Sequence, residues 1–210
     1  MRQLGRLIET TSLQDWRVYL RFHVVRAGLP WLGQAAFDEA FAFNSLLTGQ
    51  KAPTPRWKRC ASAMDAAMGE ALGKAYVAAE FPPSSKARMN ELVDNLRIAL
   101  QRRIETRPWM SAATKQEALK KLASFIQKIG YPDTWRDYTA LTIDPKAPAL
   151  ANLRRAQEFE YRRDLAKIGK PVDRAEWLMT AATVNAYFNP PTNEICFPAG
   201  ILQPPMFDPQ

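Results

Sequence analysis

The chain has 210 residues, 47% of them hydrophobic and 24% charged, with a formal net charge of +8. That is enough apolar material for a real core in one or two domains, while the longest apolar runs are too short and too charged to span a membrane. The N-terminus, MRQLGRLIETTSLQDW, lacks the unbroken apolar stretch of a secretory signal. The basic excess permits an acidic partner such as nucleic acid or anionic lipid. However, the arginines come as scattered pairs (Arg102-Arg103, Arg154-Arg155, Arg162-Arg163) among acids. A basic solvated surface is the simpler reading, with no nucleic-acid partner expected.

From the N-terminus, Trp16, Tyr19, Leu20, Val24 and Ala27 recur at helical spacing. The pattern predicts a helix from Leu13 to Ala27, closed by Gly28 and Pro30. Phe37, Ala40, Phe41 and Asn44 begin a second, ending near Gly49. A two-proline loop, Lys51 to Arg56, separates it from a long alanine-rich helix, Trp57 to Phe81, suited to close helix packing. Pro82-Pro83 then opens a helix over Lys86 to Glu105 with one apolar stripe: Met89, Leu92, Val93, Leu96, Leu100 and Ile104.

Arg107 to Ser111 is a break, and Ser111 suits the N-cap of the next helix. That helix has the stripe Leu119, Leu122, Phe125, Ile126 and Ile129, which predicts that it runs on to Gly130. Tyr131 to Tyr138 is a polar-aromatic loop, with Asp133 and Asp137 as solvated acids. A further helix covers Ala149 to Gly169, with Pro148 in its first turn. Asp173 and Glu176 form a capping-box pattern that predicts a short helical turn through Met179.

The period changes only at the end. Val184 to Phe188 and Glu194 to Phe197 read as strands around a turn-forming Asn189-Pro-Pro-Thr-Asn193. The expected fold class is therefore mainly α with a terminal β-hairpin. Two strands alone are marginal, so either a helical scaffold presents this hairpin or the chain is cut from a larger sheet.

Chemistry-bearing residues are sparse. There are two cysteines, Cys60 and Cys196, and one histidine, His23. The cysteines have neither metal-type spacing nor a disulfide framework, and both read as buried thiols. A zinc site takes three or four ligands from His, Cys, Asp and Glu, which one histidine and two distant cysteines do not supply. His23 lies beside an apolar stripe with no serine or cysteine tied to it by motif, and reads as a packed residue. No glycine-rich phosphate loop is present.

Asn185 offers a donor and an acceptor on one short stem, which suits the N–H and C=O of a peptide unit. Beside it, the main chain of Ala186 is able to pair with an extended ligand by strand addition. The alternative is an ordinary polar edge strand, with Asn185 merely solvated.

These residues carry a resemblance. Asn185-Ala-Tyr-Phe, Asn193-Glu-Ile and Phe197-Pro-Ala-Gly-Ile-Leu-Gln-Pro-Pro-Met-Phe207 resemble the segment just before the zinc motif of neprilysin-like zinc metallopeptidases, the M13 family, in particular the bacterial endopeptidase O type. Arg56-Trp-Lys-Arg-Cys60, Gly73-Lys-Ala-Tyr76, Trp109-Met-Ser-Ala-Ala-Thr-Lys115, Ile129-Gly-Tyr-Pro-Asp133 and Glu176-Trp177 look like family landmarks in family order. Trp135-Arg-Asp-Tyr138 and Gly169 to Arg174 look like the bacterial branch.

The resemblance implies a helical lid-domain portion over residues 1–108 and the start of a thermolysin-like α+β catalytic domain over residues 109–210. It implies a zinc-dependent endopeptidase in the complete enzyme and makes Asn185 and Ala186 the substrate-binding pair. The zinc ligands and catalytic residues would lie beyond this chain, in a complementary C-terminal segment with a His-Glu-x-x-His motif. The chain alone is then expected to bind no zinc and to be inactive. The resemblance further implies peptide substrates and a periplasmic or secreted enzyme. The alternative is a non-catalytic peptide-binding protein derived from the family.

Overall fold

Seven helices and three short strands build the chain in a computed structural model that describes residues 2–209. In order they are α1 (Arg2–Thr10), α2 (Leu13–Leu32), α3 (Gln34–Thr48), α4 (Arg56–Glu80), α5 (Pro83–Thr106), α6 (Ala112–Ala123), β1 (Ile126–Gly130), α7 (Ala149–Leu165), β2 (Tyr187–Asn189) and β3 (Glu194–Pro198). The fold class is mainly helical, as expected. Among the described residues no helix is long and apolar enough to cross a membrane.

Contacts divide the chain into two units. The first holds residues up to Arg59 together with Thr142–Arg155; the second holds Cys60–Leu141 and the residues from Ala156 onward. Within the first, α2 packs on α3. Ser12 caps α2, its hydroxyl accepting from the Asp15 N–H at 3.1 Å. The expected stop at Gly28 and Pro30 is corrected, because α2 continues to Leu32 with Pro30 inside it. Gly28 is not an end signal but a buried point of packing against Leu150. The α3 terminus follows expectation: Gly49 is left-handed at φ 70° and its N–H bonds the Ser45 carbonyl. His23 is exposed, lying against the Tyr19 ring at 4.3 Å and the Phe22 ring at 5.5 Å.

In the second unit, α4 bends at Met68 (φ −151°, ψ 47°). Just beyond the bend Gly69 and Gly73 are buried, with Thr180 and Ala181 close against them. Helix α5 starts on Pro83, whose missing N–H costs nothing there. Helix α6 starts on Ser111, whose hydroxyl accepts from the Thr114 N–H at 3.2 Å.

The largest departure follows α6, which ends at Ala123 rather than at Gly130. Residues Ile126–Gly130 form β1, which pairs in parallel with β3, Ile126 opposite Glu194 and Gly130 opposite Pro198. The stripe of Phe125, Ile126 and Ile129 fits either period. Two β-branched residues and a distant partner strand settle it as a strand. The terminal hairpin is thus not alone: the sheet order is β1-β3-β2, with β2 antiparallel to β3. The expected first hairpin strand is also shorter, because ladder pairing begins at Tyr187 and not at Val184.

Another correction concerns Trp177–Met179, which are not helical. Asp173 instead closes a local turn by accepting from the Ala175 N–H at 2.8 Å, and Trp177 is buried. Glu176, expected as a capping residue, is spent in ion pairs.

One face of the sheet carries Ile129, Ile195 and Phe197. These pack with Phe81 directly after α4, Met89 and Val93 on α5, and Ala199 and Leu202 beyond β3. Each large buried side chain contributes about 1.5–3 kcal/mol through burial. The opposite face of the sheet carries the polar residues Lys128, Glu194 and Tyr187.

Candidate functional site: an outer strand over a buried ion pair

Side chains alternate along a strand, so Lys128, Glu194, Cys196 and Tyr187 point away from that core. Lys128 is opposite Cys196 in one ladder, and Tyr187 is opposite Cys196 in the other. Lys128 Nζ meets Glu194 Oε2 at 2.9 Å, and the two side chains are only 6% and 2% exposed. Lys128 Nζ also donates to the Glu176 carbonyl at 2.6 Å. The second Glu194 oxygen accepts from the Tyr187 hydroxyl at 3.1 Å. That hydroxyl in turn accepts from the Leu178 N–H at 3.3 Å. Both oxygens of this buried carboxylate are therefore satisfied, as a buried charge requires.

Burial pushes the Cys196 thiol up to about 12, leaving it protonated and unreactive. Burial likewise raises the Tyr187 phenol. The two cysteines differ: Cys196 is buried as expected, whereas Cys60 is exposed, a correction to its helical-core reading.

Asn185 and Ala186 directly precede β2, the outer strand of the sheet. Asn185 is exposed and Ala186 half-buried. The Asn185 side-chain oxygen accepts from the Ala186 N–H at 2.8 Å. The two residues thus sit side by side immediately before the ladder, which begins at Tyr187.

A cavity of about 500 Å³ reaches Thr183, two residues before Asn185; it is lined by Asp65, Glu70, Arg136, Glu160, Arg163 and Glu176, among others. Arg136 bridges Glu70 at 3.0 Å and Glu160 at 2.8 Å. Arg163 links Glu160 at 2.8 Å to Glu176 at 2.6 Å, and Lys167 reaches Glu176 at 2.7 Å. Burial opposes ionisation of Glu176, but the bonds from Lys167 and Arg163 outweigh it and hold its carboxyl below the usual range. No motif in the sequence singles out this set; Arg136, in Trp135-Arg-Asp-Tyr138, and Glu176, in Glu176-Trp177, stood out only within the resemblance. Asp133, expected to be solvated, is highly exposed but pairs with Lys86 at 3.1 Å.

Among the described residues no three His, Cys, Asp or Glu side chains form a group able to hold a metal ion. The described residues do not fit a zinc centre.

Comparison with known proteins agrees with the terminal segment and the landmarks. Models of peptidase family M13 match residues 1–132 and residues 185–210. The chain belongs to peptidase family M13, a family of zinc metalloendopeptidases. It is 32% identical to Neprilysin-11 of Caenorhabditis elegans, over 99% of this chain and 25% of that protein. The zinc metalloprotease Zmp1 of Mycobacterium tuberculosis, solved in complex with an inhibitor, is 44% identical with a TM-score of 0.87, over 99% of this chain and 31% of that one. PepO of Lactobacillus rhamnosis is 28% identical with a TM-score of 0.79, over 93% of this chain and 31% of that one. The chain therefore spans between a quarter and a third of the length of these relatives.

Proposed function

We propose that this chain carries the peptide-holding edge of a zinc-dependent metalloendopeptidase, with Asn185 and Ala186 as the substrate-binding pair. The observation that carries the reading is the placement of an exposed Asn185 and a neighbouring Ala186 directly before an outer strand. A peptide laid antiparallel along that edge meets backbone donors and acceptors, and Ala186 leaves room for its approach. The Asn185 amide supplies one further donor and acceptor, its oxygen already oriented by the Ala186 N–H. Membership of the M13 family supports peptides as the ligand class. The metal ligands and the general base belong, on this reading, to a complementary polypeptide with a His-Glu-x-x-His motif. Residues 1–108 then contribute lid helices, and residues 109–210 open the catalytic portion.

The test is a titration of the full chain with a blocked pentapeptide, Ac-Ala-Phe-Leu-Ala-Ala-NH2, followed by backbone amide shifts. Saturable shifts centred on residues 185–189 are expected, and Asn185→Ala weakens them about tenfold through loss of one or two hydrogen bonds. Adding a polypeptide that carries the zinc motif then yields cleavage. Shifts confined to other parts of the chain, or an Asn185→Ala variant that binds as well as the parent, overturn the reading.

A further inference from the structure

The buried pair Lys128–Glu194 has no part in the clamp just described, yet it is the most deeply buried charged group on the polar face of the sheet. Such a pair is weak evidence of stability, because apolar replacements of equal volume often serve as well or better. It needs another account, and its bonds supply one. We propose that Glu194, held by Lys128, is a positioning residue that fixes the outer strand through the Tyr187 hydroxyl and so sets the place of Asn185 and Ala186. The role in substrate binding rests on the reading above; the positioning itself does not.

Strand β2 has three residues, and β3 is its single partner. An outer strand that short opens readily unless something besides the ladder holds it. Its far end is tied through the turn, where the Asn193 side chain donates to the Lys121 carbonyl at 2.7 Å and to the Ser124 hydroxyl at 3.0 Å. At its near end, next to Ala186, the side-chain tie is Tyr187; the next anchor upstream is Thr183, bonded to Thr180. The Tyr187 hydroxyl bonds Glu194 on β3 and receives the Leu178 N–H.

The acceptor is useful only if it does not move. Lys128 supplies the opposing charge and is itself anchored to the Glu176 carbonyl. Lys128 and Tyr187 thereby fasten the chain at residues 176–178 across the sheet. A one-residue slip of β2 would turn Tyr187 to the opposite face and lose the bond, so the contact selects one register.

Amide hydrogen exchange on the full chain tests this directly. Tyr187→Phe removes one hydroxyl and keeps the ring. Exchange over residues 186–189 should quicken about two- to tenfold, the weight of one hydrogen bond, with β1 and α5 unchanged. Lys128→Met with Glu194→Leu keeps the volume without the charges, and should behave like Tyr187→Phe. Lys128→Met with Glu194→Gln restores an acceptor for the phenol without the Lys128 tether, and should bring exchange part of the way back to the parent rate. Unchanged exchange in Tyr187→Phe, equal loss of protection throughout the chain, or no rescue by the glutamine overturns the proposal. The pentapeptide arm is separate. If the parent chain fails to bind it, the clamp reading fails while the exchange data still decide the positioning. If the parent binds it and Tyr187→Phe binds equally well, the link from Glu194 to the clamp is broken.

Discussion

Gly130 lies directly under the Phe81 ring. The glycine ends β1 with φ at +77°, and a Cβ built on it would come within 2.7 Å of Phe81 Cε1. Phe81 is 3% exposed and directly follows α4, so the contact joins the sheet to the helical part of the second unit's core. Two costs follow for any side chain here: left-handed backbone, about 1–2 kcal/mol, and displacement of a packed ring, about 1–3 kcal/mol. Gly130→Ala is expected to lose about 2–5 kcal/mol in denaturant unfolding. A loss of only about 1–2 kcal/mol, the backbone strain alone, would mean that Phe81 yields without cost.

The two thiols should separate cleanly. Cys60 is exposed, while the Cys196 thiol is buried and raised to about 12. Near pH 8 only about one Cys196 in ten thousand is thiolate, the reactive form. Iodoacetamide is expected to add one group to the native chain and two in denaturant, counted by mass spectrometry. Slow native labelling of Cys196 would then measure how often the sheet opens.

Acid should loosen the chain through Glu176. Its folded carboxyl lies below its ordinary value of 4.5, held there by Lys167 and Arg163 against the cost of burial. A lowered carboxylate contributes stability that is complete above the unfolded value and is lost as pH falls through the folded one. Denaturant midpoints are expected to fall below about pH 4.5. Glu176→Gln should flatten that fall and cost about 1–2 kcal/mol near neutral pH, allowing for solvent at Lys167. An unchanged acid limb in the variant would assign the effect to other carboxylates.

Much of the helical part is legible locally. Ser12, Ser111, Pro83 and Gly49 each mark a helix end through chemistry within one turn of the chain. Strand β1 is not legible in this way. Phe125, Ile126 and Ile129 satisfy a helical spacing as well as a strand, and the partner that decides lies 66 residues later. Pro30 misleads as well, since α2 runs on past it to Leu32. At the candidate site, Asn185 and Ala186 stand out because they belong to a long, specific string. Glu194 lies in the same string, yet its partner Lys128 and the Arg136–Glu160–Arg163 chain depend on pairings that only the folded chain makes.

Strand β1 also bears on how the chain behaves while it is being made. Lys128 leaves the ribosome 66 residues ahead of Glu194, an interval of roughly 3–13 seconds at usual synthesis rates. Through that time β1 is an unmatched strand whose neighbour does not yet exist. A lysine at its centre keeps the strand in water and discourages pairing with other chains. The same ammonium later becomes the counter-ion of Glu194, so one side chain guards the strand first and completes the sheet afterwards.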